Sequence, residues 1–572
     1  METNLSSADE SGMEHINNNV CIDLTTKNHA KSLSTSSRLV KTLTCTYQEY
    51  CQQSSIHGVQ YLGEKQRPIK ERVFWLSVFV VSIYCCARLI NSAYTKWDAT
   101  PVIVSFAERS TPVWNIPFPA VTICSETKRV LKKSGDHNSY ASLYNQFTDA
   151  MHATKIFKPQ NITAKEMEEF RTLLHVCNTQ IIEQDMPLIP GEDIDYYDIL
   201  KRMLPPFERY FFYCRWLSRY NECDKYFHQT LTEEGICYTF NGLRPSQIYR
   251  ENTYQYHNSA GENITNSSWS LEMGYEPSSD VDTFPARVLS AGARSGIFMA
   301  LQSFKQEVDY ACRGPVQGFK VFVLLHAPDD VPQVSKQFVR IPMGREVLIA
   351  IKPNMITTST GIAEYHPQRR QCFLSHERLL RFFKIYSEAN CQLECLANFT
   401  LNKCGCVKFS MPRTLDMPVC SEEKIHCYDR AERDLLVHEF QYVRMLNVAG
   451  DELPKGAESA CNCLPACTSL VYNTEISQAN FDLEEMLAAE GDTDFMREYP
   501  GSQMSRLSIY FKESQFITSK RSELYGITEF LANCGGIFGL FMGFSILSMV
   551  ELLYHFTLRF GVNLKHLFKV DS

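Results

Sequence analysis

The chain has 572 residues, 44% of them hydrophobic, with a formal net charge of −8. An acidic balance without a basic run gives no reason to expect nucleic acid. The sequence contains no phosphate-binding GxxxxGKS/T loop, no HExxH zinc pair and no GxSxG nucleophile elbow, so it indicates no enzyme class, cofactor or metal site.

Residues 1–55 are rich in Ser, Thr and Asn and read as a disordered segment without a cleavable signal pattern. A cluster of Lys65, Arg67, Lys70 and Arg72 follows. The stretch 73–95 is apolar and uncharged as far as Ala87, then meets Arg88 near its end, where the side chain can snorkel. It reads as a first transmembrane helix. A second run, from Phe530 to Val550, carries no charge over about 21 residues, close to the roughly 20 needed to cross hydrocarbon. Arg559, Lys565 and Lys569 follow it. Basic residues outside both spans put both chain ends in the cytoplasm. The expected layout is a cytoplasmic segment 1–72, a span 73–95, an extracellular domain 96–525, a second span 526–556 and a cytoplasmic tail 557–572.

The extracellular part is too long for a single core, so subdomains are expected. Of the 22 cysteines, sixteen fall between the spans, an even number suited to bridges in an oxidising space. The competing zinc reading of Cys404-Gly405-Cys406 and Cys461-Asn462-Cys463 fails on spacing, since C-x-C is poor for zinc. Sequons at Asn161, Asn263, Asn266 and Asn398 lie in the same part and read as glycosylation sites. Val321–His326, Val347–Lys352 and Ser505–Phe511 read as strands, the last leading almost directly into the second span. Ala431–Leu446 reads as a helix, and Cys391 and Cys395, four apart, would share a helical face. The fold class is therefore an α+β membrane protein: two transmembrane helices flanking a large disulfide-rich α/β domain.

The second apolar run is unusual for an anchor. Gly535, Gly539 and Gly543 recur every four residues, with Asn533 and Ser545 among them, a pattern for helices packed closely around water. It reads as a pore-lining helix.

Five ordered motifs carry a resemblance. They are Ser54-Ser55-Ile56-His57-Gly58, Phe118-Pro119-Ala120-Val121-Thr122-Ile123-Cys124, Gly235-Ile236-Cys237-Tyr238-Thr239-Phe240-Asn241, the cysteine block from Cys391 to Cys467, and the stretch Asn533–Glu551. Together they resemble the degenerin/epithelial sodium channel family, with an extracellular domain of the acid-sensing channel type. Trp97-Asp98-x-x-Pro101-Val102, Pro112-Val113-Trp114 and Met411-Pro412-Arg413 are most similar to its insect pickpocket branch.

The resemblance implies a trimer of like or related subunits in the plasma membrane, passing sodium ions without voltage gating and blocked by amiloride. It implies a selectivity filter at Gly543, Phe544 and Ser545, where an interrupted helix frees carbonyls to replace part of an ion's water shell. Many relatives have a small residue where this chain has Phe544, so the ring must point away from the axis. Ala532 matches the position where a small side chain lets helices converge in the shut state, one turn above Gly536. Asn533 stands where several relatives carry Asp. Glu551 reads as an isolated carboxylate below the filter, and His57-Gly58 as the gating motif. The implied bridges are Cys124–Cys237, Cys214–Cys223, Cys372–Cys467, Cys391–Cys463, Cys395–Cys461, Cys404–Cys427 and Cys406–Cys420, leaving Cys177 with Cys312. Three other readings stay open: a non-conducting accessory subunit of such a channel, an ATP-gated two-span channel, and a two-span lipid-scavenging receptor.

Overall fold

A computed structural model describes residues 35–569, apart from 65–66, 100–101, 129–139, 154–156, 158–161, 178–193, 218, 221–223, 259–266, 268, 281, 308–311, 313–317, 337, 450–460, 493 and 525. The sequons at Asn161, Asn263 and Asn266, and Cys223 of the expected Cys214–Cys223 bridge, lie outside the described residues. Contacts divide the chain into two units, Met1–Ile103 with Glu523–Ser572, and Val104–Ser522.

The Val104–Ser522 unit is built on one sheet. In chain order the ten strands along its main path are β1 (Ala120–Ser125), β2 (Phe211–Trp216), β3 (Arg219–Tyr220), β4 (Phe227–Thr232), β5 (Gly235–Phe240), β6 (Ile297–Phe304), β7 (Phe319–His326), β8 (Arg345–Thr358), β9 (Ser469–Asn480) and β10 (Ser502–Phe511). Across the sheet they run β3-β2-β6-β10-β8-β9-β7-β1-β5-β4. The central pair β8–β10 is parallel, with Ile349 opposite Ile509 and Ile351 opposite Phe511. Val347, Ile349, Ile351, Leu507 and Ile509 are fully buried. Aromatic rings from distant segments close this core, Phe118 meeting Trp216 at 5.0 Å and Phe511 at 5.6 Å.

Two of the sequence motifs explain themselves here. Asn241 takes a left-handed backbone (φ 56°), which Asn tolerates better than most residues. Its amide clips two distant segments together, donating to the carbonyls of Phe118 (2.5 Å) and Ala286 (3.0 Å) while accepting from Ala286 N–H. Thr122 and Thr239 share a buried hydroxyl contact of 2.8 Å between β1 and β5.

Separate apolar cores sit beside the sheet, as expected for so long a chain. One contains the helix Ala164–Val176, capped by a reciprocal Thr163–Glu166 box. Its Arg171 is buried and paired with buried Glu422 at 2.7 Å. The helix Glu388–Cys404 begins at an Ser387 cap and ends at Gly405 in the left-handed region. The helix read over Ala431–Leu446 extends over Ile425–Ala449. Seven expected bridges are formed: Cys124–Cys237, Cys177–Cys312, Cys372–Cys467, Cys391–Cys463, Cys395–Cys461, Cys404–Cys427 and Cys406–Cys420. Three of them involve the two long helices, Cys391–Cys463 and Cys395–Cys461 tying the first to its surroundings and Cys404–Cys427 joining the two, a rigidity that does not depend on a large core.

The strand read over Ser505–Phe511 extends over Ser502–Phe511, and two short strands, Gln515–Phe516 and Ser519–Glu523, lie between it and the second apolar run. Ser519–Glu523 pairs in parallel with β8.

The other unit holds the apolar helices. Ile69–Asp98 is long and apolar enough to cross a membrane, and the pair Ile527–Met542 and Ile546–Lys565 passes the same test as one span bent by 67°. The expectation of disorder before residue 55 is wrong for 35–53, which form the helix Thr35–Gln53. Short isolated helices are marginal in water, and the partners that hold this one lie at the far end of the sequence. Glu49 accepts from Arg559 Nε at 2.9 Å and pairs with its Nη2, Asn563 donates to Thr46 at 3.2 Å, and Tyr50 lies edge-on to His555 and Phe556.

Candidate channel site

Helix Ile527–Met542 stops because Gly543 follows it. Gly543 adopts φ 66° and ψ 18°, the left-handed cap that glycine takes without steric cost. Its N–H returns to Gly539 O at 2.9 Å. Two residues later the chain starts a new helix, Ile546–Tyr554, with Ser545 as its cap. Ser545 and Ser548 form a reciprocal box: Ser548 N–H donates to Ser545 Oγ at 3.2 Å, and Ser545 N–H donates to Ser548 Oγ at 3.1 Å. A C-terminal cap and an N-terminal cap in immediate succession break the apolar run at the expected filter tripeptide.

The break frees the carbonyls of the preceding turn. One of them, Met542 O, accepts the backbone N–H of His57 at 2.9 Å. An added Cβ at Gly543 would lie 2.7 Å from His57 Nδ1, so the ring would have to shift. Gly58 has φ 87° and caps the short helix Val59–Gly63, a backbone conformation that L side chains rarely adopt. Tyr50, Cys51, Ile56 and Val59 form a buried cluster, with Phe79, Met542 and Phe544 packed against it. The bulky Phe544 ring is accommodated there and lies 5.9 Å from Phe538.

Glu551 is not the isolated carboxylate that the sequence suggested. Its Oε2 accepts from both the hydroxyl (2.8 Å) and the amide (3.2 Å) of Ser55. Ser55 Oγ lies 2.7 Å from Ser548 Oγ. The structure therefore brings His57, Gly58, Gly543, Phe544, Ser545 and Glu551 into one constellation. It leaves Ala532, Asn533, Gly536 and Gly539 apart from it, on an exposed face. A methyl group added at Gly535, Gly536 or Gly539 would meet nothing within 4 Å. Sequence reasoning assigned no role to Ser55, Ser548 or Met542 O. The Ser-x-x-Ser spacing after a helix-ending glycine was the available signal for Ser548.

The first apolar helix packs beside the second. Trp97 stacks on Phe530 at 5.4 Å, and Tyr94 meets the same ring edge-on. In the other unit, Asn398 sits mid-helix in Glu388–Cys404 and lines a cavity of about 260 Å³ with Arg378, Glu394 and Asn402. Elsewhere in that unit, burial shapes several titratable groups. Burial, helped by the charges of Lys408 and Arg171, lowers His175 to about 3. Burial and the charge of adjacent Asp330 raise Asp329, and burial raises Asp330 as well.

The chain combines a disulfide-pinned α/β unit with a helix long and apolar enough to cross a membrane and a second apolar run broken at a glycine–serine joint, features that fit a membrane channel. Residues 50–555 match the family model for the amiloride-sensitive sodium channel, and the chain belongs to that family, the degenerin/epithelial sodium channels. It is 30% identical over 518 residues to pickpocket protein 28 of Drosophila melanogaster, covering 89% of this chain and 78% of the relative. It is 23% identical over 532 residues to the sodium channel protein Nach of the same fly, covering 91% and 88%. The bile acid-sensitive ion channel of Mus musculus is 22% identical over 538 residues, covering 90% and 88%. These matches put the chain in the insect pickpocket branch.

Proposed function

We propose that the chain is a subunit of an amiloride-sensitive, voltage-independent, sodium-preferring channel of the plasma membrane. It assembles as a homotrimer or with related subunits, keeps both ends in the cytoplasm and opens to a stimulus in sensory or epithelial cells. The observation that carries this reading is the break at Gly543–Ser545. Helix ends leave carbonyls without intrahelical partners, and at membrane depth such groups are tolerated only against protein or water. Carbonyls and a hydroxyl grouped at such a point can substitute for a sodium ion's hydration shell. Gly543, Phe544 and Ser545 form the filter on this reading, Glu551 concentrates cations beyond it, and His57-Gly58 controls access. The exposed small-residue face from Ala532 through Gly536 to Gly539 is where copies converge.

Expression in oocytes, alone and with a related subunit, tests the proposal. The expected result is an amiloride-sensitive current whose reversal potential follows sodium, with a changed sodium-over-potassium ratio or no current when Ser545 is enlarged. Full surface expression with no amiloride-sensitive current in either arrangement sinks it. Current only in the mixed channel, unaltered by any change at Ser545, identifies an accessory subunit instead.

A further inference from the structure

The hydroxyl oxygens of Ser545, Ser548 and Ser55 and the carboxylate of Glu551 form a continuous line. The separations are 3.2 Å from Ser545 Oγ to Ser548 Oγ, 2.7 Å from Ser548 Oγ to Ser55 Oγ, and 2.8 Å from Ser55 Oγ to Glu551 Oε2. Ser548 is fully buried, while its neighbours Leu547 and Met549 are exposed.

The direction of each proton can be worked out from the end of the line. The Ser55 hydroxyl donates to Glu551 Oε2, and a hydroxyl has one proton to give. Ser55 therefore spends its proton on Glu551. The 2.7 Å contact between Ser55 and Ser548 then has one available donor, the Ser548 hydroxyl. With its proton committed, Ser548 Oγ can only accept from its other side, where Ser545 N–H reaches it and the Ser545 hydroxyl points its proton. Ser545 Oγ accepts Ser548 N–H with one lone pair. Its second lone pair is left for a cation.

We propose that Ser548 is a positioning residue for ion selection, carrying the hydrogen-bond direction set at Glu551 through Ser55 so that Ser545 presents an oxygen lone pair rather than a proton to the permeating ion. This rests on the reading of Gly543–Ser545 as the filter. Neither the span pattern nor the glycine spacing requires it: any small residue at 548 would fit the helix, and only a hydroxyl completes the line.

Three variants separate the possibilities, each measured at matched surface expression and, where the chain conducts only with a related subunit, in that mixed channel. Ser548→Val keeps bulk near that of threonine and deletes the hydroxyl; Ser548→Thr restores it. The expected result is a sodium-over-potassium permeability ratio lowered about three- to tenfold in the valine variant, the range that one neutral hydrogen bond covers, with a near-normal ratio for threonine. Ser545→Ala reports on the filter itself. A shifted ratio in Ser545→Ala with an unshifted one in Ser548→Val overturns the relay and leaves the filter standing. Unshifted ratios in both overturn the filter, and the relay with it. A loss of surface protein in Ser548→Val at constant ratio marks a merely structural serine and also overturns the proposal. An independent arm reads the contact directly. Ser55→Cys with Ser548→Cys should form a disulfide within one chain when copper–phenanthroline and oxygen remove two electrons and two protons, neither single variant doing so. Its absence in the double variant overturns the relay whatever the currents show.

Discussion

Replacing Gly543 with alanine adds one methyl group and sets two structural costs against each other. The first is conformational: φ 66° is strained for any residue with a Cβ, at about 1–2 kcal/mol. The second is contact: the new atom would sit 2.7 Å from Nδ1 and 2.8 Å from Cε1 of the His57 ring, and overpacking of this kind costs about 1–3 kcal/mol. Together they disfavour the docked arrangement of the His57-Gly58 segment by about 2–5 kcal/mol, and each 1.4 kcal/mol is about tenfold in population. Gly58→Ala is the matched control, since φ is 87° there but no atom lies within 4 Å, so only the conformational cost applies. Docking can be read at Cys51, which is fully buried in the cluster that the segment forms. The assay is the rate of maleimide labelling of Cys51 in isolated membranes, with Cys51→Ser as blank. Gly543→Ala should label at least about tenfold faster than wild type, and adding His57→Ala should recover the contact part of the effect but not the conformational part. Wild-type labelling in Gly543→Ala, or an identical rate with and without the His57 ring, refutes the reasoning.

Ala532→Val should raise resting amiloride-sensitive current at matched surface expression, because overpacking of about 1–3 kcal/mol in the shut state alone shifts the gate toward open; equal resting currents with an intact response to stimulus would free Ala532 of that role. Removing Cys395 and Cys461 together should harm surface delivery little more than removing either, since both single changes break the same bridge, worth about 2–5 kcal/mol; additive losses would contradict the pairing. Asp329 and Asp330 hold protons more tightly folded than unfolded, so they stabilise the fold at low pH. That contribution is lost as pH rises from the ordinary carboxylate range near 4 toward about 7. Asp330→Asn should flatten the corresponding fall in melting temperature of the solubilised full chain. His175 has the opposite sign: its depressed basicity leaves stability intact above about 6.5 and erodes it as pH falls toward 3. His175→Phe should remove that acid loss, and an unchanged acid limb would show that another group causes it.

What the sequence disclosed, it disclosed through local signals. Ser387 before Glu388–Cys404 and Gly405 after it mark that helix by capping alone, and the four-residue spacing of Cys391 and Cys395 places both bridges on it. Gly543 and Ser545 likewise announce a stop and a restart within three residues. The missed features all depend on partners remote in sequence. Thr35–Gln53 looks unstructured by composition, and its stabilising arginine lies 510 residues away from Glu49. Glu551 looks solitary because Ser55 is 496 residues upstream. The parallel pairing of β8 with β10 is set by packing that no single window of sequence contains, and Gln515–Phe516 and Ser519–Glu523 are too short for alternation to reveal.

The helix Glu388–Cys404 also constrains the order of events during synthesis. Its Asn398-Phe399-Thr400 triplet has the form that accepts an N-linked sugar, a form normally read on an accessible loop. Here Thr400 is fully buried and its hydroxyl finds no hydrogen-bond partner among the described residues. A transferase that must reach both the asparagine amide and the threonine hydroxyl has access only while this stretch is still extended. Any sugar at Asn398 would therefore have to be attached before the helix forms and before Cys391 and Cys395 close their bridges, and the folded domain would then preserve a record of the order of those two events.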